Sequence, residues 1–483
     1  MPSPAVTEPK EIVPLCVDLD GTLIKTDLLW ESLVRLLKSN PLYLLVVPVW
    51  LLRGRAHLKA QVASRVCLDA ATLPYFEPLT EFLRTQRHAG RPLFLVTASD
   101  SRLAQGVAEH LGLFTEVLAS DGKTNLRGKN KVAKLAEKFG RGDFDYAGNS
   151  AVDLPVWEQA RQAIVVNGNP RLTRRARERA AVSRVYESPR SALPALVQAL
   201  RPHQWVKNLI IFVPLLTSHR LFELRLALDA VLAFIAFSLC ASGVYLLNDL
   251  VDLDSDRHHP AKRLRPFASG RLPLQAGLAV FPVLLASSIF LAWSLSWRFA
   301  AVLGIYLVLT TSYSWWLKQA PLLDVFCLAA LYTIRLIAGH EATAIVYSFW
   351  LLVFSMFIFL SLGLVKRYLE LDAARQQSKS EIKGRGYVAG DQDLVATLGS
   401  SSGYLAVLVL ALYVNSQEVR VLYQTPTLLL LICPLLLYWI SRVWLLAHRG
   451  QMHGDPIVFA LKDRVSYIVG ALTLGVLWLA TGH

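Results

Sequence analysis

The sequence predicts two domains of different class: an N-terminal α/β domain of Rossmann-like type with a helical cap, and a C-terminal all-α polytopic membrane domain with nine transmembrane helices. Three observations carry that expectation. Short apolar runs ending in polar clusters alternate with helical patterns over residues 1–170, as parallel strands and crossover helices do. From residue 205 onward, apolar segments suited to a bilayer of about 30 Å recur. A composition of 54% hydrophobic and 18% charged residues over 483 positions is too apolar for a wholly water-borne enzyme and too long for one core.

The first strand is expected at residues 12–17, an apolar run that ends in Asp18-Leu-Asp20-Gly21-Thr22. Residues 27–88 are helical in pattern, the segment expected to form the cap that the resemblance stated below implies. Pro92-Leu-Phe-Leu-Val-Thr97 and Phe144-Asp-Tyr-Ala-Gly-Asn149 repeat the strand-then-polar form, and ligands of a parallel sheet sit beyond such strand ends, where the three clusters would meet. Within the cap, residues 41–52 are apolar but much too short to span a bilayer, and Arg53, Arg55 and Lys59 follow them. Two readings stand side by side here: a segment lying in the membrane interface, or a buried cap helix.

Residues 171–200, rich in Arg and carrying Pro189 and Pro194, read as a basic linker between a domain at 1–170 and one at 201–483. The nine crossings are expected at 206–219, 226–247, 274–293, 299–316, 322–339, 347–365, 396–414, 425–446 and 465–481. The formal charge of +14, from 50 Lys+Arg against 36 Asp+Glu, collects in the linker and two loops, which points to cytoplasmic loops and anionic substrates rather than to nucleic acid. Residues 1–205, 248–273 and 366–395 are therefore expected on the cytoplasmic side and the C-terminus outside. The polar residues 1–12 predict no cleavable signal peptide, and the five cysteines, lacking any CxxC spacing, predict reduced, buried thiols. Nothing in the pattern sets an oligomeric state.

Asp18 and Asp20 at a strand end suit phosphoryl transfer through an aspartyl phosphate, which needs a carboxylate nucleophile, a second acid for the leaving oxygen, and a magnesium ion. Thr97 can donate to phosphoryl oxygens, Lys131 can neutralise the nucleophile–phosphate pair, and Asn149 with Asp153 can hold the metal alongside Asp18 and Asp20. Lys131 is preferred to Lys129 because a helical pattern begins there. In order and spacing the set resembles the haloacid dehalogenase superfamily of phosphatases. It departs from the family's usual pattern at Asn149, where Asp is common and one metal-binding charge is lost.

The second cluster runs Asn248-Asp249-Leu-Val-Asp252-Leu-Asp254-Ser-Asp256-Arg257, followed by Lys262, Arg263 and Arg265. On a continuous helix Asn248, Asp252 and Asp256 share a face, with Asp249 about 100° round from Asn248 and Asp254 off that face as a surface charge. Carboxylates at a membrane helix end suit magnesium ions bridged to a diphosphate. The motif resembles the first Asp-rich motif of the UbiA-type intramembrane prenyltransferases, whose members join a polyprenyl group to an acceptor. The usual second Asp-rich motif is missing: Lys366-Arg367-Tyr-Leu-Glu370 stands in its place. Extra cations suit a polyprenyl phosphate acceptor and a phosphoribosyl diphosphate donor. Together with Lys207, Asn208, Lys318 and Arg335, the latter expected to pair with Asp324, the chain resembles most the decaprenyl-phosphate phosphoribosyltransferase branch. Lys207 and Arg367 suit lipid headgroups as well as substrate.

The resemblances imply a bifunctional, Mg2+-dependent enzyme of the bacterial inner membrane. One domain would transfer phosphoribose to the lipid and build cell-wall precursor, while a cytoplasmic phosphatase would remove the 5-phosphate. The alternative is prenylation of an aromatic acceptor beside a regulatory haloacid dehalogenase-like domain.

Overall fold

The computed structural model describes residues 13–187, 192–376, 385–452 and 454–481. Residues 1–12, Pro189 and residues 377–384 of the expected cytoplasmic loop 366–395 lie outside the described residues. The chain divides into two compact units, Met1–Leu200 with Tyr245–Val280, and Arg201–Val244 with Phe281–His483.

The first unit is built on a six-stranded sheet: β1 (Leu15–Val17), β2 (Leu93–Asp100), β3 (Glu116–Ser120), β4 (Asp145–Gly148), β5 (Gln162–Gly168) and β6 (Val182–Glu187). All pairings are parallel, in the order β3-β2-β1-β4-β5-β6. Leu15 and Val17 feed one core with Leu93, Leu95 and Ile164, and Cys16 feeds the other with Val96, Tyr146 and Trp157. Burial on both faces is why β1 is an unbroken apolar run and not an alternating one. The strand order reverses at β1, flanked by β2 and β4, so its C-terminal end opens into the crevice where open α/β sheets bind ligands.

The cap comprises α1 (Leu28–Ser39), α2 (Tyr43–Leu52) and α3 (Arg55–Ala63), and α4 (Glu77–His88) leads back to the sheet. Asp27 starts α1 by accepting from the Leu29 amide at 2.9 Å, and Leu33, Leu36, Trp50, Leu58 and Val62 pack the three cap helices together. Then follow α5 (Ser101–Leu111) and α6 (Lys129–Phe139). After α7 (Leu154–Trp157) and β5, the described residues of the expected linker at 171–200 are structured, as α8 (Pro170–Arg179), strand β6 and α9 (Leu193–Leu200). Its arginines hid α8, because a surface helix needs few inward residues, here Leu172 and Ala176.

Residues 245–280 belong to this unit and are fastened to the cap. Arg257 pairs with Glu31 of α1 at 2.6 Å, their side chains 4% and 0% exposed. Arg35, also on α1, pairs with Asp254, so Asp254 is not the solitary surface charge expected of it. Gly270 (φ +70°) allows a close approach to the chain just before α1; a Cβ there would stand 2.6 Å from that of Lys25.

The second unit is helical. Across the whole chain, seven helices among the described residues are long and apolar enough to cross a membrane: Leu224–Val251, Leu274–Leu295, Leu323–Thr343, Phe349–Gln376, Ala389–Val414, Pro426–His448 and Arg464–Thr481. Nine were expected. Residues 206–219 form no long helix but a 3-10 run, Pro202–Phe212, and the short helix Val213–Thr217, with Pro202 and Pro214 each removing a backbone donor. The other shortfall is Trp297–Trp315, a 19-residue helix made less apolar by Arg298 and by the hydroxyls of Thr310, Thr311, Ser312 and Ser314.

Candidate active sites

The last ladder bond of β1, from the Asp18 amide to the Ala147 carbonyl at 2.9 Å, delivers the Asp18 carboxylate to the sheet's C-terminal edge. Lys131, from the first turns of α6, donates to Asp18 Oδ1 at 2.7 Å and to the Tyr146 hydroxyl at 2.7 Å. Thr22 donates to Asp18 Oδ2 at 3.2 Å. Asp20 accepts from the Leu28 amide at 2.8 Å, from Ser99 at 2.6 Å and from Thr97 at 3.4 Å. Asp18, Asp20, Thr97 and Lys131 thus come together as the spacing predicts, and Lys131 is the lysine that reaches the carboxylate.

Burial raises the Asp18 carboxyl to about 6 against the opposing pull of Lys131. Asp20 is likewise raised by burial to about 6, with Asp27 pushing the same way, in the range where one group both donates and accepts a proton near neutrality. Asp153 is engaged by its own loop: Oδ1 accepts from Tyr146 at 3.1 Å, and Oδ2 accepts from Asn149 N at 3.2 Å, Ser150 N at 3.0 Å and Ser150 Oγ at 2.9 Å. That bonding fixes the loop carrying Asn149, whose amide lies against Gly21; a Cβ on Gly21 (φ +75°) would run into it.

Three residues of this site escaped the sequence reading. Ser99, two positions after Thr97 on β2, makes the shorter bond to Asp20, and Tyr146 joins Lys131 to Asp153. Lys59, noted above only as one of the cations that follow residues 41–52, turns inward and donates to the Ala98 carbonyl at 2.6 Å. The hydroxyl pair Thr97 and Ser99 was the available signal; no periodicity marks Lys59. Ser99→Ala removes a hydrogen bond to a carboxylate, typically ~1.5–3 kcal/mol; for the phosphatase chemistry that the sequence resemblance implies, the expected result is a fall of about 10–100-fold in kcat on a small phosphomonoester.

The Asp-rich cluster is bent rather than continuous. The helix Leu224–Val251 ends after Asn248 and Asp249, and Asp252 stands between it and the helix Leu253–His258. Bonds from the Asp252 amide to the Asn248 carbonyl at 2.8 Å, and from Asp256 to Asp252 at 2.9 Å, keep the spacing nearly helical. Arg265 joins Asp249 at 3.1 Å and Asp256 at 2.7 Å. The Asp256 Oδ1 atom is buried without a hydrogen-bond partner, and burial raises the Asp256 carboxyl. Lys262 and Arg263 are exposed. Arg257, expected to meet substrate phosphate, is occupied by Glu31 and by the Ala268 carbonyl at 3.2 Å, and serves as a tie between loop and cap.

In the second unit Lys207 lies 2.5 Å and Lys366 3.8 Å from the one Asp455 carboxylate. Burial opposes ionisation there, yet the two cations hold the Asp455 carboxyl below its ordinary range. Arg335 does not pair with Asp324: its Nε donates to Asn208 Oδ1 at 2.8 Å, its Nη2 to the Tyr306 hydroxyl at 3.2 Å, and Asn208 in turn donates to Ser238 at 3.0 Å. Asp324 is taken by Arg367 at 2.6 Å, both side chains 0% exposed, and by the Tyr387 hydroxyl at 2.7 Å. Arg367 also pairs with Glu370, which Arg385 approaches to 3.3 Å. Arg367 is therefore a buried structural cation rather than a surface for phosphate, and Lys366 is the more accessible of the neighbours. Lys318 is half-buried in the turn Leu317–Gln319.

Among the described residues no three Asp, Glu, His or Cys side chains converge as a ready-made metal cage. Magnesium does not require one, since it is held by one or two carboxylates plus substrate phosphates and water. The carboxylate oxygens of Asp18 and Asp20 and the unpartnered Asp256 Oδ1 are ligands of the kind such an ion takes.

A sheet-edge carboxylate pair with a buried lysine, and an Asp-rich bend at the end of the membrane-length helix Leu224–Val251, fit a hydrolase-like domain and a membrane transferase domain in one chain. Comparison with known families agrees: the UbiA prenyltransferase family model matches residues 209–462, and the haloacid dehalogenase-like hydrolase model matches residues 15–158. The chain belongs to the UbiA prenyltransferase family, carries an N-terminal haloacid dehalogenase-like domain, and is a multi-pass membrane protein. It is 40% identical to the uncharacterized protein y4nM of Sinorhizobium fredii, over 95% of this chain and 89% of that one. The nodulation protein NoeC of Azorhizobium caulinodans is 38% identical over 58% of this chain and 92% of its own length. A decaprenyl-phosphate phosphoribosyltransferase of Mycobacterium tuberculosis is 31% identical over 62% of this chain and 96% of its own length.

Proposed function

We propose that the membrane domain transfers phosphoribose from phosphoribosyl diphosphate to a polyprenyl phosphate, and that the α/β domain then removes the 5-phosphate. The observation that carries the first step is the meeting of Lys207 and Lys366 on the single Asp455 carboxylate: two cations against one anion leave a surplus positive charge suited to phosphate. The similarity to a decaprenyl-phosphate phosphoribosyltransferase supports the same reading. A lipid phosphate oxygen would attack C1 of the ribose and release diphosphate. Asn248, Asp249, Asp252 and Asp256 are proposed to hold Mg2+, which when bound neutralises the leaving diphosphate.

In the second step the Asp18 carboxylate attacks phosphorus, and Asp20 protonates the departing 5-oxygen. Asp20 then takes a proton from the water that hydrolyses the aspartyl phosphate. Lys131 offsets the charge gathering at Asp18, and Thr97 donates to the phosphoryl oxygens. Asp18, Asp20, Asn149 and the loop held by Asp153 are proposed to bind the Mg2+ of this site, which shields the phosphate from the nucleophile's charge. The cationic loops support a plasma-membrane enzyme with its α/β domain in the cytoplasm.

Mass spectrometry of lipids after the full chain is supplied with polyprenyl phosphate, phosphoribosyl diphosphate and Mg2+ tests the scheme. Polyprenyl-phosphoryl ribose, with free phosphate, is expected; a prenylated aromatic acceptor formed from a polyprenyl diphosphate would favour the other family chemistry. Asp256→Ala should abolish the lipid product, whereas Asp254→Ala, which only loosens the tie to Arg35, should leave most of it.

A further inference from the structure

We propose that α2 is an interfacial membrane anchor, lying in the headgroup region of a bilayer containing anionic lipid. Its residues leave the first unit's core almost entirely: Leu44, Leu45, Val49, Leu51 and Leu52 are 66%, 74%, 49%, 50% and 88% exposed, and Trp50 alone of the helix is buried. The apolar side chains face all round the helix, unlike a cap helix that buries one stripe and wets the other. At ten residues α2 is too short to cross a bilayer, which leaves the interface as the lipid environment it fits.

Charge gives the occupant its chemistry. Exposed Lys38 precedes α2 and exposed Arg53 and Arg55 follow it, and no acidic residue lies between Ser39 and Arg55, so both ends complement anionic headgroups. The same chain carries, among the described residues, seven helices long and apolar enough to cross a membrane, so this unit is tethered to a bilayer through its own polypeptide. The helix is anchored from below by the packing of Trp50 on Leu33, Leu36, Leu58 and Val62, so insertion needs no unfolding of the cap. The anchor is independent of which group the membrane domain transfers.

The test uses the full chain in nanodiscs of neutral and anionic lipid. Leu45→Cys, in a Cys67→Ser background that removes the exposed native thiol, is labelled with an environment-sensitive fluorophore; Glu109→Cys on exposed α5 is the control. Acyl chains brominated near the headgroup are expected to quench the Leu45 label and shift it to the blue, leaving the control untouched, and Arg53→Glu with Arg55→Glu should weaken the quenching in anionic discs. A Leu45 label as open to aqueous iodide as the control overturns the anchor. So does a label shielded from iodide yet unquenched by brominated lipid, because a protein surface would then be covering α2.

Discussion

Asp18→Asn is expected to reduce phosphate release to background while lipid-linked phosphoribose still forms, so that the 5-phosphorylated lipid accumulates. The substitution is close to isosteric, and the Asn side-chain oxygen can still accept from Lys131, which stands 2.7 Å from Asp18. What it removes is the anionic nucleophile. The change should therefore be chemical, with an unaltered thermal midpoint in detergent. The Asp-rich bend contributes none of the groups around Asp18, so transfer should continue at its wild-type rate. Loss of both activities with a normal midpoint would mean that the two sites act as one, and undiminished phosphate release would remove Asp18 from the mechanism.

The largest effect on stability is expected at Arg367→Ala. It leaves Asp324 buried without its cation, and breaking such a pair by removing one partner costs about 3–5 kcal/mol. The neighbouring Lys366→Ala should leave the midpoint nearly unchanged, because Lys366 is 30% exposed and Asp455 keeps the nearer Lys207. Two adjacent cations thus separate cleanly: one variant fails in thermal denaturation, the other in the KM for a phosphate-bearing substrate. Removing both charges with Arg367→Met and Asp324→Leu should recover much of the loss, since apolar replacement of a whole buried pair is often neutral. Equal midpoints for Arg367→Ala and Lys366→Ala would refute the assignment.

The strand ends of the candidate site were legible because a parallel sheet brings its strand termini to one edge; Asp18, Thr97 and Asn149 needed only to be recognised as endings. Lys131 followed from a helix start. Ion-pair partners were not legible, because they depend on which helix faces which. Arg335 and Asp324 lie in one helix eleven positions apart, about three turns, and that separation puts them beyond each other's reach. Arg257 was mistaken for a substrate contact because its partner, Glu31, lies 226 positions away. The structured stretch at 171–200 was obscured for a different reason: α8 buries so little that its arginines dominate the composition.

The tie between Glu31 and Arg257 carries a consequence for counting passages through the lipid. Both ends of a buried ion pair must stand on the same side of the bilayer, so the polypeptide between them traverses it an even number of times. Among the described residues one helix of membrane-crossing length and composition, Leu224–Val251, lies in that interval; if it crosses, parity calls for a second traverse upstream. We propose the Pro-containing stretch 202–217, expected from the sequence as the first crossing, as its place. Backbone that is not α-helical survives at membrane depth only where protein shields it, and here Asn208, Ile211 and Leu215 are buried while the Ile211 carbonyl packs so closely on Gly339 that no Cβ would fit. Cysteines placed in 219–223 should accordingly react with an impermeant thiol reagent from the face opposite to one placed at Lys262.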